Sequence, residues 1–455
     1  MSESANPNSE SAPVRTRTTW VRYQVLAALC LAAAIAYTGR SCLGVAADVV
    51  RAELGLSLTQ MATAMSAFFW GYALAQIPAG WLGQRIGPRH ALSLYATLWS
   101  LCCLGFTLTS GFFSLILIQA IFGVAQAGIF PCSAAILANW LPTSRRALAS
   151  GLLGSFMSLG GALGSFLTGL AISGFAWGSL DVSPILWQSV FLLFALPGLL
   201  WAACFRYWFR DDPRSHRGVN PAELSCINGK QQASSTPTAP PLGRIDWLTV
   251  LGRLDIWMLF SQQFFRAAGY IFFATWFPTY LKETRGVSTA MSGVLTALPL
   301  LAVVVGGMCG GIWIDFLYNR TGNLRISRQL TPIFSLASCA VCIFLAYFIS
   351  DAKSAVLLIS CGIFVAQLGG PSAYVVMIEK AGPATAPLFG AMNMAGNLGA
   401  AICPSVVGGL VAWSDNWNLV LFLFAGIYLA ASICWVFLDP RGTFTDGVPH
   451  QSIEA

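Results

Sequence analysis

The sequence predicts an all-α polytopic membrane protein, with twelve transmembrane helices in two pseudo-symmetric six-helix bundles. Three observations carry that expectation. Of the 455 residues, 56% are hydrophobic and only 9% charged, whereas a soluble domain averages about a quarter charged. The charges fall into short clusters separated by apolar runs of about 20 residues, the length that spans a hydrocarbon core of about 30 Å. The second half also repeats, more weakly, a motif of the first.

The runs lie near 21–47, 57–83, 91–109, 112–140, 147–174, 185–205, 256–281, 289–316, 330–350, 354–378, 386–412 and 417–438. Several contain Gly or Pro, which bilayer helices tolerate better than soluble ones. The first 19 residues are polar, with Arg15 and Arg17 and no apolar core, so no cleaved leader is expected. An even number of crossings puts both termini on one side. With the termini in the cytoplasm, 19 of the 25 basic residues face it, four (Arg51, Lys282, Arg285 and Lys353) face away, and two lie within the membrane. The positive-inside rule favours that orientation. The net charge of +7 therefore reports topology, and no basic, aromatic-interleaved surface suggests nucleic acid as a partner.

Between the sixth and seventh runs, from Arg210 to Asp246, lies a polar stretch with Pro, Ser and Gln concentrated at 231–241. It is too poor in apolar residues to fold alone. The expected organisation is a cytoplasmic tail at 1–20, a first bundle at 21–205, a cytoplasmic linker at 206–255, a second bundle at 256–438 and a cytoplasmic tail at 439–455. Thirteen cysteines are scattered mostly through apolar runs, where a thiol behaves as a small hydrophobe. Cys339 and Cys342 form a CxxC inside an apolar helix with no His nearby, so neither a metal nor a cofactor is expected.

The second run ends in Gly80-Trp81-Leu82-Gly83-Gln84-Arg85-Ile86-Gly87-Pro88-Arg89, and the eighth in Gly311-Ile312-Trp313-Ile314-Asp315. In each a Gly precedes a polar residue by four positions, and the copies are 231 residues apart. This pattern resembles the loop signature between helices 2 and 3 of the major facilitator superfamily. The resemblance implies two six-helix halves around a central cavity, with the site near the bilayer midplane. It also implies that Gly80, Gln84, Arg85, Gly87, Arg89 and Asp315 form the gating loops. Gln84 stands where the family usually has Asp, which argues against the usual charge-pair latch in that loop.

The two ionisable residues well inside the runs are Arg40 and Arg266. A guanidinium at that depth costs at least about 2.5–3.5 kcal/mol on insertion scales, and it cannot shed its proton. The two lie 226 residues apart, close to the repeat offset, so they occupy related places in helices 1 and 7. In a pseudo-symmetric carrier both would project into one central space. With no intramembrane acid beside them, that space attracts a small anion, and each guanidinium fork matches a carboxylate or phosphate. Alternatives stay open: Arg40 snorkelling toward or pairing with Asp48, eight residues on, and Arg266 bonding unwound helix carbonyls.

Local sequences narrow the resemblance. Tyr37-Thr38-Gly39-Arg40-Ser41-Cys42-Leu43-Gly44-Val45-Ala46 is similar to the helix 1 motif of the anion:cation symporter family. Trp70-Gly71-Tyr72 with Gln76-Ile77-Pro78-Ala79-Gly80, Phe130-Pro131, Trp140-Leu141-Pro142, the Thr275-Trp276-Phe277-Pro278 segment and Asn393-Met394-Ala395-Gly396-Asn397-Leu398-Gly399 are similar as well. Arg266 resembles the second arginine of the vesicular glutamate branch. The resemblance implies that Arg40 holds a substrate carboxylate beside Tyr37, with Tyr72, Gln263 and Asn393 contacting its other polar groups. Without it, both tyrosines read equally as packing aromatics and Asn393 as an interhelical bridge.

Two departures bear on energy coupling. Proton-coupled members typically carry Asp where this chain has Gly39, and Glu where it has Gln126. An amide cannot take up and release a proton, so uniport, anion exchange, or coupling through another cation or a substrate-borne proton is expected. The function that follows is transport of small organic anions such as sugar acids, carboxylates or organophosphates, by a monomer in the cytoplasmic membrane. Its rivals are a drug or metabolite exporter of the same superfamily and a non-transporting membrane sensor. An enzyme is not expected, because the runs offer no His, Asp or Glu from which to build a catalytic constellation.

Overall fold

The computed structural model describes residues 18–177, 180–228, 250–287 and 289–444. The Pro/Ser/Gln-rich stretch at 231–241 and both tail ends lie outside them. Seven helices precede the central stretch: α1 (Val21–Glu53), α2 (Leu58–Ile86), α3 (Pro88–Gly105), α4 (Phe112–Gln126), α5 (Ile129–Trp140), α6 (Arg146–Ser173) and α7 (Trp187–Trp208). After a short α8 (Pro221–Asn228) come α9 (Leu254–Thr275), α10 (Phe277–Arg285), α11 (Thr289–Thr321), α12 (Thr331–Ala346), α13 (Ala352–Leu368), α14 (Gly370–Ala381), α15 (Thr385–Ser414) and α16 (Asn418–Val436). A small antiparallel hairpin, Phe175–Trp177 with Leu180–Val182, joins α6 to α7.

Ten helical stretches among the described residues are long and apolar enough to cross a bilayer. The runs near 57–83 and 256–281 form helices but are not among the ten. Polar side chains dilute them: Tyr72 and Gln76 in α2, and Gln262, Gln263 and Arg266 in α9. These polar residues include three of those expected at the site, Tyr72, Gln263 and Arg266, with Gln76 in the same motif as Tyr72.

Three runs that read as single helices are broken. The run at 112–140 breaks at Ala127-Gly128, where a Cβ on residue 128 would overlap the Tyr95 ring. The run at 256–281 breaks at Trp276, just ahead of the proline in the first turn of α10, and the run at 354–378 breaks at Gly369, ahead of Pro371. At the latter two breaks the proline lacks the N–H that would continue the ladder.

Part of the polar linker, a stretch too poor in apolar residues to fold alone, is held in place by docking on the start of α1. The wholly buried Glu223 of α8 accepts hydrogen bonds from the Val21 and Arg22 amides at 3.1 and 3.0 Å and from the Thr19 hydroxyl at 2.5 Å. These satisfy amides at the start of α1 that have no partner within the helix.

α1 packs on α6, α2 on α4 and α3 on α7; α9 packs on α15 and α16, α11 on α13, and α12 on α13 and α16. Two further seams, α2 on α15 and α6 on α11, join the elements before the linker to those after it. The repeated glycines sit at these seams. A Cβ on Gly80 would lie 2.5 Å from the Ala386 carbonyl oxygen, and one on Gly311 2.7 Å from the Ala147 carbonyl oxygen. Backbone cannot yield as a flexible side chain can, so only glycine permits this approach. Gly80→Val is therefore expected to lower Tm by at least about 3 °C by wedging α2 off α15, with Gly80→Ala milder; an unchanged Tm in Gly80→Val would contradict the tight seam.

Candidate functional site

α1 presents Arg40 one turn after Tyr37. Long helical side chains lean toward the helix N-terminus, and the Arg40 guanidinium does so: its Nη1 donates to the Tyr37 hydroxyl at 3.0 Å. Four rings surround it, with centroids 5.0 Å away for Tyr37, 4.6 Å for Phe68, 5.0 Å for Phe69 and 5.1 Å for Tyr72. The ring faces attract the cation. Arg40 therefore points toward α2 and away from the end of α1 that carries Asp48, whose side chain lies outside the described residues.

On α9, Arg266 donates from Nε and Nη2 to the Gln263 Oε1 at 3.3 and 3.1 Å, and from Nη2 to the Tyr374 hydroxyl of α14 at 3.3 Å. Its guanidinium also lies 5.6 Å from the Tyr374 ring centroid. Among the described residues, the hydrogen-bond partners of Arg266 are side chains rather than unwound helix carbonyls. Neither Arg40 nor Arg266 forms an ion pair with a carboxylate among the described residues.

The two arginine environments adjoin. They meet along α15, where Asn393 bonds to the Tyr72 hydroxyl and Gly396, one turn on, faces the Gln263 side chain 3.1 Å from where a Cβ would lie; Tyr270 follows Arg266 by one turn of α9. Asn393 of α15 reaches across to α2, donating from Nδ2 to the Gln76 Oε1 at 2.8 Å and to the Tyr72 hydroxyl at 3.3 Å. It is thus an interhelical bridge and a neighbour of the site at once. All six residues expected from sequence (Arg40, Arg266, Tyr37, Tyr72, Gln263 and Asn393) join this polar patch between the two sets of helices. Sequence reasoning missed Phe68, Phe69, Gln76, Tyr270 and Tyr374. Gln76 stood in a quoted motif but was given no role.

Chemically the patch is rich in donors. Two guanidiniums carry ten N–H groups and no acceptor, and the amides and hydroxyls around them are neutral at physiological pH. Such a set repels cations and has the charge and donor geometry to suit an anion. The departures from proton-coupled relatives are placed as follows. Gln126, buried, donates from Nε2 to the Ala36 carbonyl at 3.0 Å, one residue before Tyr37. Gly39 is buried facing Cys103 and Phe122, each 3.5 Å from where a Cβ would lie.

The loop residues divide into two kinds. Asp315 accepts from the Ala147 and Leu148 amides at 3.2 and 2.8 Å, so it caps the first turn of α6 across the α6–α11 seam. Arg328, wholly buried, lies 3.6 Å from Asp315 and 3.2 Å from Glu379 and donates to the Thr143 carbonyl at 3.1 Å. Arg89 works locally instead. Its amide donates to Asp211 at 2.8 Å, and its Nε and Nη2 donate to the Arg206 carbonyl at 2.8 and 2.6 Å, tying α3 to the end of α7. Burial pushes the Asp211 carboxyl up, while the Arg89 amide and the His90 and Arg89 charges oppose the shift. Gly87, at φ 85°, makes the turn between α2 and α3 beside Asp211, where a side chain would collide with the carboxylate. Arg85 is exposed over the Trp81 ring at 5.2 Å, and Gln84 lies half-buried on the last turn of α2.

The sequence pattern of the Major Facilitator Superfamily matches residues 29–401. The chain belongs to the major facilitator superfamily. Among its relatives in this superfamily, the probable galactarate/D-glucarate transporter GarP of Escherichia coli K12 is 30% identical, covering 92% of this chain and 94% of that protein. The probable sulfoacetate transporter SauU of Cupriavidus necator is 28% identical over 92% of this chain and 94% of its own length. Solved major facilitator structures share the fold. The E. coli fucose:proton symporter FucP superposes with a TM-score of 0.65 at 16% identity, covering 94% of this chain and all of that one, and the human organic anion transporter MFSD10 with 0.63 at 16%, covering 91% and 99%. With its long apolar helices, this major facilitator protein is an integral membrane protein.

Proposed function

We propose that this chain carries small organic anions, sugar acids and other carboxylates foremost, across the membrane by alternating access, with Arg40 and Arg266 gripping the anion from opposite walls. The observation that supports this reading is the polar patch that holds two guanidiniums, linked through Asn393 and Gly396 of α15, without a carboxylate partner among the described residues. The names of the relatives favour it: galactarate, glucarate, galactonate, hexuronate and sulfoacetate are all small organic anions. A cationic site also argues against the drug-exporter reading, and the chain is read as a transporter, not an enzyme. Tyr37, Tyr72, Gln263 and Asn393 contribute hydroxyl and amide contacts, the last two through side chains already turned toward the arginine patch.

In this reading twelve helices form two bundles, 21–205 and 256–438, joined by a cytoplasmic linker at 206–255, with both termini in the cytoplasm and the carrier monomeric in the cytoplasmic membrane. The seams at Gly80 and Asp315 then lie on the cytoplasmic side, and this conformation is closed toward the cytoplasm. Gly80, Gln84, Arg85, Gly87, Arg89 and Asp315 serve the conformational change, Gly80 and Asp315 directly at the seams and the others by holding the α2–α3 loop.

The test is a thermal-shift panel on purified protein with galactarate, glucarate, galactonate, galacturonate and sulfoacetate, repeated with Arg40→Ala and Arg266→Ala. At least one anion should raise Tm by several degrees in the native protein and by less than one degree in either variant. Stabilisation that survives both substitutions would put the site elsewhere. Uptake of the stabilising anion should be indifferent to an inward proton gradient when its acid groups stay ionised, because neither Gly39 nor Gln126 offers a carboxylate.

A further inference from the structure

Building on that reading of the site, we propose that this carrier is an obligate exchanger: it passes between its two faces only with an anion bound, so that each anion moved one way is balanced by one moved back. The argument concerns the empty site. Any alternating-access carrier that performs net uptake must return unloaded, and while returning it closes its two halves over whatever the site contains. Here the site contains two side chains that stay cationic at every accessible pH.

Their described partners are neutral. Arg40 has the Tyr37 hydroxyl and four aromatic rings, and Arg266 has Gln263 and Tyr374. Hydroxyls, amides and ring quadrupoles orient a cation but subtract none of its charge. Open to water, the pair is screened; closed and empty, it becomes two like charges in a low-dielectric chamber. A bound anion with two acid groups cancels both charges, so the loaded form closes readily. The difference between loaded and empty closure is the coupling, because a ligand shifts a conformational equilibrium only by its differential affinity for the two states.

A position exists where the missing charge can be supplied. Gln126 is buried, its amide is bonded to the Ala36 carbonyl one turn before Arg40, and its Oε1 has no hydrogen-bond partner among the described residues. Gln126→Glu is nearly isosteric and places a titratable carboxyl against the α1 backbone one turn before Arg40.

The experiment uses the full-length protein in liposomes, with the radiolabelled anion that gives the largest thermal shift supplied outside. The interior holds either the same anion unlabelled, inorganic phosphate, or potassium chloride and buffer alone, with equal potassium on both sides and valinomycin in every arm so that no membrane potential builds up. Initial uptake into the anion-loaded vesicles is expected to exceed that into chloride vesicles by at least about tenfold. The phosphate arm asks whether the site accepts an inorganic counter-anion: uptake near the loaded rate supports exchange with a broader partner set, and uptake near the chloride rate supports exchange restricted to organic anions. Equal uptake in loaded and chloride vesicles overturns the proposal while leaving anion transport intact. Absence of labelled uptake in all arms overturns anion transport itself. Gln126→Glu should bring the loaded-to-chloride ratio down toward about one, and its net uptake should quicken with an inward proton gradient; a transporting Gln126→Glu protein that keeps the full native ratio would show that uncompensated charge does not enforce exchange.

Discussion

Replacing Arg40 with alanine is expected to cut initial anion uptake at least about 100-fold while the protein stays folded. Arg40 brings a permanent charge and a planar fork, of which one nitrogen is engaged by Tyr37. Charge-assisted hydrogen bonds are each worth about 1.5–3 kcal/mol, and stranding the partner charge raises the loss to about 2–5 kcal/mol. A hundredfold loss corresponds to about 2.7 kcal/mol, within that range. Arg40→Lys should not restore uptake, because an ammonium cannot fill the fork or stack flat among the rings of Tyr37, Phe68, Phe69 and Tyr72. The unliganded variant should keep a Tm within a few degrees of native, since the lost ring contacts are partly offset by removal of a charge without an acidic partner among the described residues. Uptake by Arg40→Ala within threefold of native, at equal reconstitution, would exclude a binding role. Arg266→Ala is expected to weaken uptake similarly, and the double variant to add little once either grip is gone, because the two act on one ligand.

The helical membrane fold and the two arginines of the candidate site were legible for one reason: a bilayer leaves few explanations for a charge. Twelve apolar runs, the glycine motif and its echo, and two arginines at repeat-related positions all follow from the cost of exposing polar groups to hydrocarbon. The aromatic wall was not legible. With 13% of residues aromatic, nothing in the sequence separates Phe68 or Tyr374, which face a guanidinium, from rings that fill space. Helix breaks at Trp276 and Gly369 were obscured by the continuous hydropathy of their runs. Segment ends were misleading in another way. Arg328, Lys380 and Asp315 stand at the margins of apolar runs, where solvent exposure is the ordinary expectation, yet each is at most 3% exposed. Arg328 and Asp315 are buried because helices from both sides of the linker converge there, a tertiary fact that no local pattern encodes. Lys380 shows how such a charge is accommodated: its Nζ donates to Asp255 at 2.8 Å and to the Asp439 and Arg441 carbonyls at 2.7 and 2.9 Å.

The same convergence makes Arg328→Ala the most damaging single change expected outside the binding patch. Arg328 sits on a π-helical turn, Arg325–Leu330, a widened geometry frequent at functional positions. From there it faces Asp315 and Glu379 and donates to the Thr143 carbonyl, joining α11, α14 and the chain just before α6. Removing one partner of a buried ionic group costs about 3–5 kcal/mol, chiefly because it leaves the other charge uncompensated. A fall in Tm of at least about 5 °C is expected, taking about 2 °C per kcal/mol as the slope for larger domains. The residue responsible can be separated by rescue. Asp315 keeps its two amide donors, Ala147 and Leu148, when the arginine is gone, whereas Glu379 loses its ion-pair partner and has one oxygen already without a hydrogen bond among the described residues. Adding Glu379→Gln to Arg328→Ala should therefore recover more than half of the lost Tm, while adding Asp315→Asn should lower it further by stripping the cap from α6. The opposite ranking of the two double variants would mean that Arg328 serves Asp315 first, and that the seam between α6 and α11 is held by the ion pair more than by the helix cap.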